Sequence, residues 1–68
     1  MVKNRLLQIR LSLGYKKQKD FADFLGVAQA NYNKWENNSS QPGIEFGLKV
    51  AGKLDMTFES IFYLEDEG

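Results

Sequence analysis

The middle of the chain carries the pattern that most restricts its fold, two short helical segments joined by the three-residue turn Gly26-Val27-Ala28. The pattern predicts helices over 18–25 and 29–37. Its marker residues are Gln18, Ala22, Gly26, Tyr32 and Trp35, spaced 4, 4, 6 and 3. Ala22 is small enough for two helix backbones to approach, and Gly26 permits the positive φ of a tight turn. Helix pairs of this kind commonly place their second helix in the major groove of DNA.

Helical periodicity also governs the flanking parts of the chain, where it predicts helices over 4–13, 44–54 and 58–62. A polar loop is expected at 37–43. The residues predicted to face inward on the first and fourth helices are Leu6, Ile9, Arg10 and Leu13, and Ile44, Leu48, Val50 and Ala51. The two ends, 1–3 and 62–64, are expected to pair in a short β-ribbon that needs packing support. The predicted fold class is all-α, a compact single domain over 1–68 with five helices and this terminal ribbon as an addition.

Composition excludes most enzyme chemistry. Sixty-eight residues suffice for one small domain, and the chain contains neither cysteine nor histidine. Disulfides, thiolate metal sites and imidazole bases are therefore absent, and the serines have no histidine partner. Three carboxylates adjoin near the C-terminus, at Glu65, Asp66 and Glu67, but such a run is usually solvated charge. We predict a non-enzymatic protein without cofactor, metal or small-molecule ligand.

Targeting signals are not evident in the sequence. No apolar run approaches the roughly 18 residues that span a bilayer, and the N-terminus lacks the apolar stretch of a signal peptide. We therefore expect a cytoplasmic protein that does not contact the membrane.

Charge is distributed unevenly although the net charge is zero. Residues 1–36 contain seven basic and three acidic side chains, whereas residues 37–68 contain two basic and six acidic ones. This asymmetry is typical of a protein with one face for a polyanion. Chance segregation of surface charge explains the same counts.

In its helix-turn-helix segment and the helices that follow, the sequence resembles the lambda repressor/Cro-type helix-turn-helix family, also called the XRE family. The resemblance is carried by Gln18-Lys19-Asp20-Phe21-Ala22-Asp23-Phe24-Leu25-Gly26-Val27, by Tyr32-Asn33-Lys34-Trp35-Glu36-Asn37, and by Pro42, Leu48-Lys49-Val50-Ala51, Leu54 and Met56-Thr57-Phe58-Glu59-Ser60-Ile61-Phe62. It covers about residues 5–62.

Two departures from the family pattern stand out. The turn at 14–17 is one residue longer than is usual in the family, and Gly43 and Gly47 replace a hydroxyl cap and a core leucine.

The resemblance makes 29–37 the recognition helix. It implies base contacts by Gln29, Ala30, Asn33 and Lys34 and phosphate contacts by Lys17, Gln18, Asn37, Asn38 and Ser39. Side-chain chemistry suits these roles, since glutamine and asparagine bridge adenine N6 and N7 and lysine donates to guanine. A solvated polar face and ordinary loop chemistry are the alternatives at these positions.

An ion pair between Arg10 and Glu36 is also implied by the resemblance, and periodicity independently places Arg10 on the inward face of the first helix. We expect the pair to fix orientation more than to add net stability. Tyr32 and Trp35 are expected to pack in the core instead of stacking on bases.

One short recognition helix makes few contacts, so family members of this size are expected to bind two half-sites as dimers. We predict that two chains associate through segment 54–64, which comprises the fifth helix and the second strand of the ribbon. Its apolar residues are Leu54, Met56, Phe58, Ile61, Phe62 and Leu64.

The sequence thus predicts a sequence-specific regulator of transcription that binds double-stranded DNA. We expect a homodimeric repressor whose operator is an inverted repeat. The alternative is a protein–protein interaction module, an antitoxin or switch-protein docking domain on the same fold, without DNA binding.

Overall fold

In the computed structural model, residues 1–65 are described, and they form five helices and one two-stranded ribbon. The elements in chain order are β1 Val2–Asn4, α1 Leu6–Ser12, α2 Gln18–Leu25, α3 Gln29–Glu36, α4 Ile44–Leu54, α5 Phe58–Ile61 and β2 Phe62–Leu64. The predicted five-helix fold with a terminal ribbon is confirmed. The two central helices begin at the predicted residues, because Gly26 separates them in the left-handed conformation.

The ribbon lies one residue further along the first strand than predicted, because β1 includes Asn4. The strands are antiparallel, with Lys3 opposite Tyr63 and Asn4 opposite Phe62. The Asn4 side chain also ends the strand, since its Oδ1 accepts the Leu6 backbone N–H at 3.0 Å. The first helix therefore starts at Leu6 and not at residue 4.

The core is formed where all five helices and the ribbon meet. Its fully or nearly fully buried apolar residues are Leu6, Phe21, Ala22, Leu25, Tyr32, Trp35, Val50, Ala51, Ile61 and Phe62. Aromatic rings contribute specific contacts, such as the edge-on contact of Phe21 with Tyr32 at 5.5 Å between ring centroids. The inward placement predicted for α2 and α3 is thus observed.

Three of the predicted inward residues are exposed, so the faces assigned to the first and fourth helices require correction. Leu13 is 53% exposed because α1 ends at Ser12, one residue before it. Ile44 and Leu48 are 79% and 56% exposed. The inward stripe of α4 runs instead through Gly47, Val50, Ala51 and Leu54, because the side chain of Phe58 packs against Gly47.

The close approach at Gly47 yields a prediction with a matched control. A Cβ at this position would lie 2.7 Å from Cε2 of Phe58. Overpacking by Gly47→Ala should cost about 1–3 kcal/mol, and a gain in helix propensity of about 1 kcal/mol offsets part of this cost. The variant should therefore be less stable than the native chain by up to about 2 kcal/mol. A Cβ at Gly52, on the same helix, meets no atom within 4 Å. Gly52→Ala should stabilise by about 0.5–1 kcal/mol. Urea denaturation of both variants tests this opposition in sign, and stabilisation by Gly47→Ala would contradict it.

Within residues 1–65, no helix combines the length and the apolar character needed to cross a bilayer.

Candidate nucleic-acid interface

The helix-turn-helix unit consists of α2, the turn 26–28 and α3. Gly26 adopts φ 77° and ψ 31°, and the Val27 backbone N–H donates to the carbonyl of Ala22 at 3.0 Å. Ala28 then returns to extended geometry and starts α3. Ala22 is completely buried. This turn directs α3 away from α2 while both remain packed on the core.

The two faces of α3 differ in character. Tyr32 and Trp35 are buried in the core. The opposite face is exposed and polar, and its residues Gln29, Ala30, Asn33 and Lys34 line one open concavity. The structure thus brings together all four side chains predicted to contact bases, on a surface that holds one cation and three neutral residues.

The Arg10 and Glu36 side chains form a bidentate ion pair beneath this face. Arg10 Nε donates to Glu36 Oε2 at 2.9 Å, and its Nη2 donates to Oε1 at 3.1 Å. Their side chains are only 9% and 6% exposed. The pair joins α1 to the last turn of α3, as the resemblance implies.

Arg10 also holds the long turn between α1 and α2. Its Nη1 donates to the carbonyl oxygens of Tyr15 and Lys16 at 3.0 and 2.8 Å. These bonds place exposed Lys17 at the start of α2, where no side chain caps the first-turn N–H groups. Uncapped N–H groups at a helix start favour an anion such as phosphate.

The pKa of the Glu36 carboxyl is shifted by this environment. Burial opposes ionisation, but hydrogen bonds from Arg10 and Gln18 outweigh burial, so the pKa of Glu36 lies below its ordinary value. The Tyr32 phenol lies close by, and burial raises its pKa, which keeps the hydroxyl protonated.

The lowered pKa of Glu36 predicts the direction of a pH effect on stability. A carboxyl with a folded-state pKa below its unfolded value, about 4.3 for glutamate, stabilises the fold fully above that unfolded value. This stabilisation is lost as the pH falls through the lower folded pKa. An NMR titration of the Glu36 carboxyl carbon should give a midpoint below about 4.3. A midpoint at or above that value would contradict the ion-pair geometry.

The predicted phosphate-contact residues after α3 differ in which of their groups are available to bind a phosphate. The backbone N–H groups of Asn37, Asn38 and Ser39 donate to carbonyls of α3 at 2.9–3.0 Å, so they end the helix. Any phosphate contact there must use side chains. The Asn38 residue has φ 60°, and its Oδ1 accepts from the Asn4 N–H and from Gln41. The side-chain oxygen of Asn38 is therefore already hydrogen-bonded within the domain, whereas the side chains of Asn37 and Ser39 are exposed.

Asn4 is a residue whose importance the sequence reasoning missed. It is 7% exposed, and its Nδ2 donates to the carbonyl of Trp35 at 2.7 Å and to Gln41 Oε1 at 2.8 Å. Gln41 in turn donates to the Val2 carbonyl at 3.2 Å. Asn4 and Gln41 thereby connect β1 to the end of α3. An asparagine two residues before an apolar helix start is a capping signal, but its long-range partners leave no local pattern.

The predicted dimerisation segment requires a correction. Ile61 and Phe62 are 0% and 6% exposed within a single chain, so they belong to the monomer core and cannot form a surface. Leu54, Met56 and Phe58 are half-buried against that core. Leu64 is 77% exposed. The domain hides more of this apolar set than its small size suggested, because α5 and β2 fold back against the other helices.

Among residues 1–65, no group of three or more acidic side chains could hold a metal ion. Asp66 and Glu67, which extend the carboxylate run beyond Glu65, lie outside the described residues.

Comparisons with known proteins agree with this architecture. A family model described as helix-turn-helix matches residues 6–61. The chain is similar to the uncharacterized HTH-type transcriptional regulator YgzD of Bacillus subtilis (strain 168), with 27% identity over 66 residues, 97% of this chain and 98% of YgzD. It is also similar to the SPbeta prophage-derived uncharacterized HTH-type transcriptional regulator YonR of the same organism. That identity is 33% over 57 residues, 84% of this chain and 52% of YonR.

Proposed function

Because the chain belongs to the lambda repressor/Cro-type (XRE) helix-turn-helix family of DNA-binding regulators, we propose that it recognises a specific operator with the exposed face of α3. We further propose that it acts as a repressor by occluding a promoter. Family membership also points to a class of proteins that regulate instead of catalysing reactions.

The observation that carries the proposal is the rigid presentation of one polar face. Tyr32 and Trp35 anchor α3 in the core, and the buried pair of Arg10 and Glu36 holds its last turn. The exposed face is therefore fixed relative to Lys17 at the start of α2. A fixed distance between base-reading and phosphate-binding groups is what register on the duplex requires.

Base recognition would follow from side-chain chemistry on this face. Gln29 and Asn33 have amides that suit adenine, Lys34 suits guanine, and the methyl of Ala30 suits thymine. Lys16, Lys17 and Lys19 are exposed and supply attraction to phosphates. The carboxylate of Glu36 is neutralised by Arg10, so it does not repel the duplex.

Selection of binding sites from a random duplex pool tests this function. We expect enrichment of an inverted repeat with half-sites about one helical turn apart. Lys34→Ala should weaken binding to the selected duplex, whereas Lys49→Ala, a matched loss of an exposed lysine on α4, should leave it unchanged. A folded native chain that enriches no sequence would overturn the proposal.

We also propose that the chain acts as a homodimer through the exposed part of segment 54–64. Within residues 1–65, β2 pairs with β1 on one side only. The outer edge of β1 is closed by side chains, since Asn38 accepts the Asn4 N–H and Gln41 donates to the Val2 carbonyl. On the outer edge of β2 the Phe62 N–H donates to the Phe58 carbonyl, so the part of this edge that a second copy could reach lies at exposed Leu64.

Dimerisation predicts different effects for two leucine substitutions. Leu64→Asp should shift the sedimentation coefficient at micromolar concentration from dimer to monomer, because it places a charge in the proposed interface. Leu13→Asp introduces the same charge at a leucine that is 53% exposed directly after α1, and should leave the dimer intact. A native chain that sediments as a monomer, alone and on DNA, would contradict the dimer.

Docking of a protein partner is a second candidate function, favoured by the exposed apolar residues of α4. Ile44, Phe46 and Leu48 are 79%, 44% and 56% exposed. Salt dependence separates the two functions, because release of counterions from DNA makes affinity fall steeply with salt.

A further inference from the structure

A chain of hydrogen-bonded side chains connects the buried ion pair to the recognition face. Glu36 Oε1 accepts from Gln18 Nε2 at 3.1 Å. Gln18 Oε1 accepts from Asn33 Nδ2 at 2.9 Å, and Asn33 Oδ1 accepts from Asn37 Nδ2 at 3.1 Å. We call Glu36, Gln18, Asn33 and Asn37 the amide relay. It begins at a buried charge and ends at exposed Asn33 on α3 and exposed Asn37 directly after this helix.

Each bond of the amide relay has only one possible direction. An ionised carboxylate accepts hydrogen bonds and has no hydrogen to donate, so Glu36 forces Gln18 to turn its NH₂ group inward. The carbonyl oxygen of Gln18 must then face Asn33. Asn33 in turn must direct its NH₂ group to Gln18 and its oxygen to Asn37. Arg10 holds the first member of the amide relay, because its two donors keep the Glu36 carboxylate ionised and in place.

We propose that Gln18 is a positioning residue for base recognition, which transmits the acceptor-only character of Glu36 to Asn33 and so fixes which end of the Asn33 amide donates and which accepts. This inference rests on the proposed function, since it concerns how α3 discriminates bases. It adds to the phosphate contact expected of Gln18 a role in sequence specificity.

The fixed amide has a consequence for the base it prefers. After its bonds within the relay, Asn33 retains one N–H hydrogen and one oxygen lone pair. Adenine offers an acceptor at N7 and a donor at N6, which match these two groups in one order only. If Asn33 turned over, its oxygen would oppose that of Gln18 and its NH₂ group would oppose that of Asn37. The relay therefore disfavours the reversed orientation of the Asn33 amide, in which its NH₂ group would face the adenine N6 donor.

Two substitutions of Gln18 separate this role from a phosphate contact. Gln18→Met keeps the length of the side chain but removes both amide groups, so Asn33 is free to turn over. Gln18→Glu places a carboxyl oxygen where Gln18 Nε2 lies 3.1 Å from Glu36 Oε1, so the two carboxyls must share one proton. With that proton donated to Glu36, the other oxygen still accepts from Asn33 and preserves its orientation, while the amide donor available to a phosphate is lost. Gln8→Met is the matched control, since Gln8 is exposed on α1.

The test compares binding-site selection by the native chain, Asn33→Ala and the three variants, with circular dichroism to verify folding. The base pair read by Asn33 is the one whose preference disappears in Asn33→Ala. We expect Gln18→Met to reduce the preference at that base pair by about 2- to 10-fold, the equivalent of one net hydrogen bond. Gln18→Glu should keep the preference and lose overall affinity, and Gln8→Met should change neither.

Spectroscopy of the free chain provides a readout that is independent of DNA. The side-chain NH₂ resonances of Asn33 should shift in Gln18→Met, and should move much less in Gln18→Glu because the acceptor is retained. Unchanged base preference in Gln18→Met, with equal loss of affinity at every position, would overturn the inference and leave Gln18 as a phosphate contact. A native chain that selects no sequence would overturn the proposed function itself, and this inference with it.

Discussion

Arg10→Ala should reduce the free energy of unfolding by about 3–5 kcal/mol, the range measured when one partner of a buried ion pair is removed. Glu36 would remain in a site where its side chain is 6% exposed, without its cation. The carbonyls of Tyr15 and Lys16 would also lose their donor. A domain of this size has a total stability of about 3–10 kcal/mol, so the loss is a large fraction of the free energy of unfolding.

Arg5→Ala is the matched control for this experiment. Arg5 is exposed, and its guanidinium lies 4.2 Å from the centre of the Tyr63 ring. Loss of such an exposed contact should cost about 0.5–1 kcal/mol. Arg10→Lys keeps the charge but not the bidentate geometry, and should be intermediate. Urea denaturation followed by Trp35 fluorescence measures all three. A loss below about 0.5 kcal/mol for Arg10→Ala is what an exposed pair would give, and would contradict the buried pair.

Asn4→Ala should have the second largest effect, a loss of about 2–4 kcal/mol, because it leaves the Leu6 N–H without an acceptor and the Trp35 carbonyl with one donor in place of two. The carbonyl of Trp35 would lose a donor at 2.7 Å, and the N–H of Leu6 would lose an acceptor at 3.0 Å. Both groups lie where β1 meets the helices, so neither regains water easily.

Two further variants isolate the donor groups of Asn4. Asn4→Asp retains an oxygen for the Leu6 N–H but turns a second oxygen towards the carbonyl of Trp35, so it should be destabilised at least as much as Asn4→Ala. Asn31→Ala removes an exposed asparagine from α3 and should leave stability within about 0.5 kcal/mol of the native value. Thermal denaturation provides the comparison. Equal midpoints for Asn4→Ala and Asn31→Ala would show that the Asn4 bonds do not stabilise the fold.

The elements that the sequence predicted well are those fixed by local chemistry. Gly26 separates α2 from α3, and the apolar spacing of Phe21, Tyr32 and Trp35 sets their inward faces. Arg10 was placed correctly on the inner face of α1, because its position in the helical repeat does not depend on distant residues.

The incorrect predictions arose where distant residues decide the outcome. On α4, Ile44 and Leu48 are predicted to lie inside, but the Phe58 side chain fills the space beside Gly47. The inner face is therefore the one that carries Gly47, Val50, Ala51 and Leu54. The sequence predicts Ile61 and Phe62 at a dimer surface, because local hydrophobicity does not distinguish burial within a chain from burial between chains. The bonds of Asn4 to Trp35 and Gln41 join residues more than 30 positions apart, which no periodic pattern records.

In the candidate interface, too, features set by local sequence could be predicted and features set by distant residues could not. The exposed face of α3 could be predicted from helical spacing and the resemblance together. The amide relay could not, because the orientation of Gln18 and Asn33 depends on a carboxylate that reaches them from the end of α3. Residue types alone do not indicate which amide faces which partner.

Mapping the DNA contact by NMR tests the central claim, that the exposed face of α3 binds the duplex, most directly. Backbone amide spectra of the full chain would be recorded with and without the selected duplex. We expect the largest changes at Lys17, Gln18 and the face formed by Gln29, Ala30, Asn33 and Lys34, with little change on α4. Changes concentrated on Ile44, Phe46 and Leu48, with α3 unaffected, would contradict the claim and identify α4 as the functional surface.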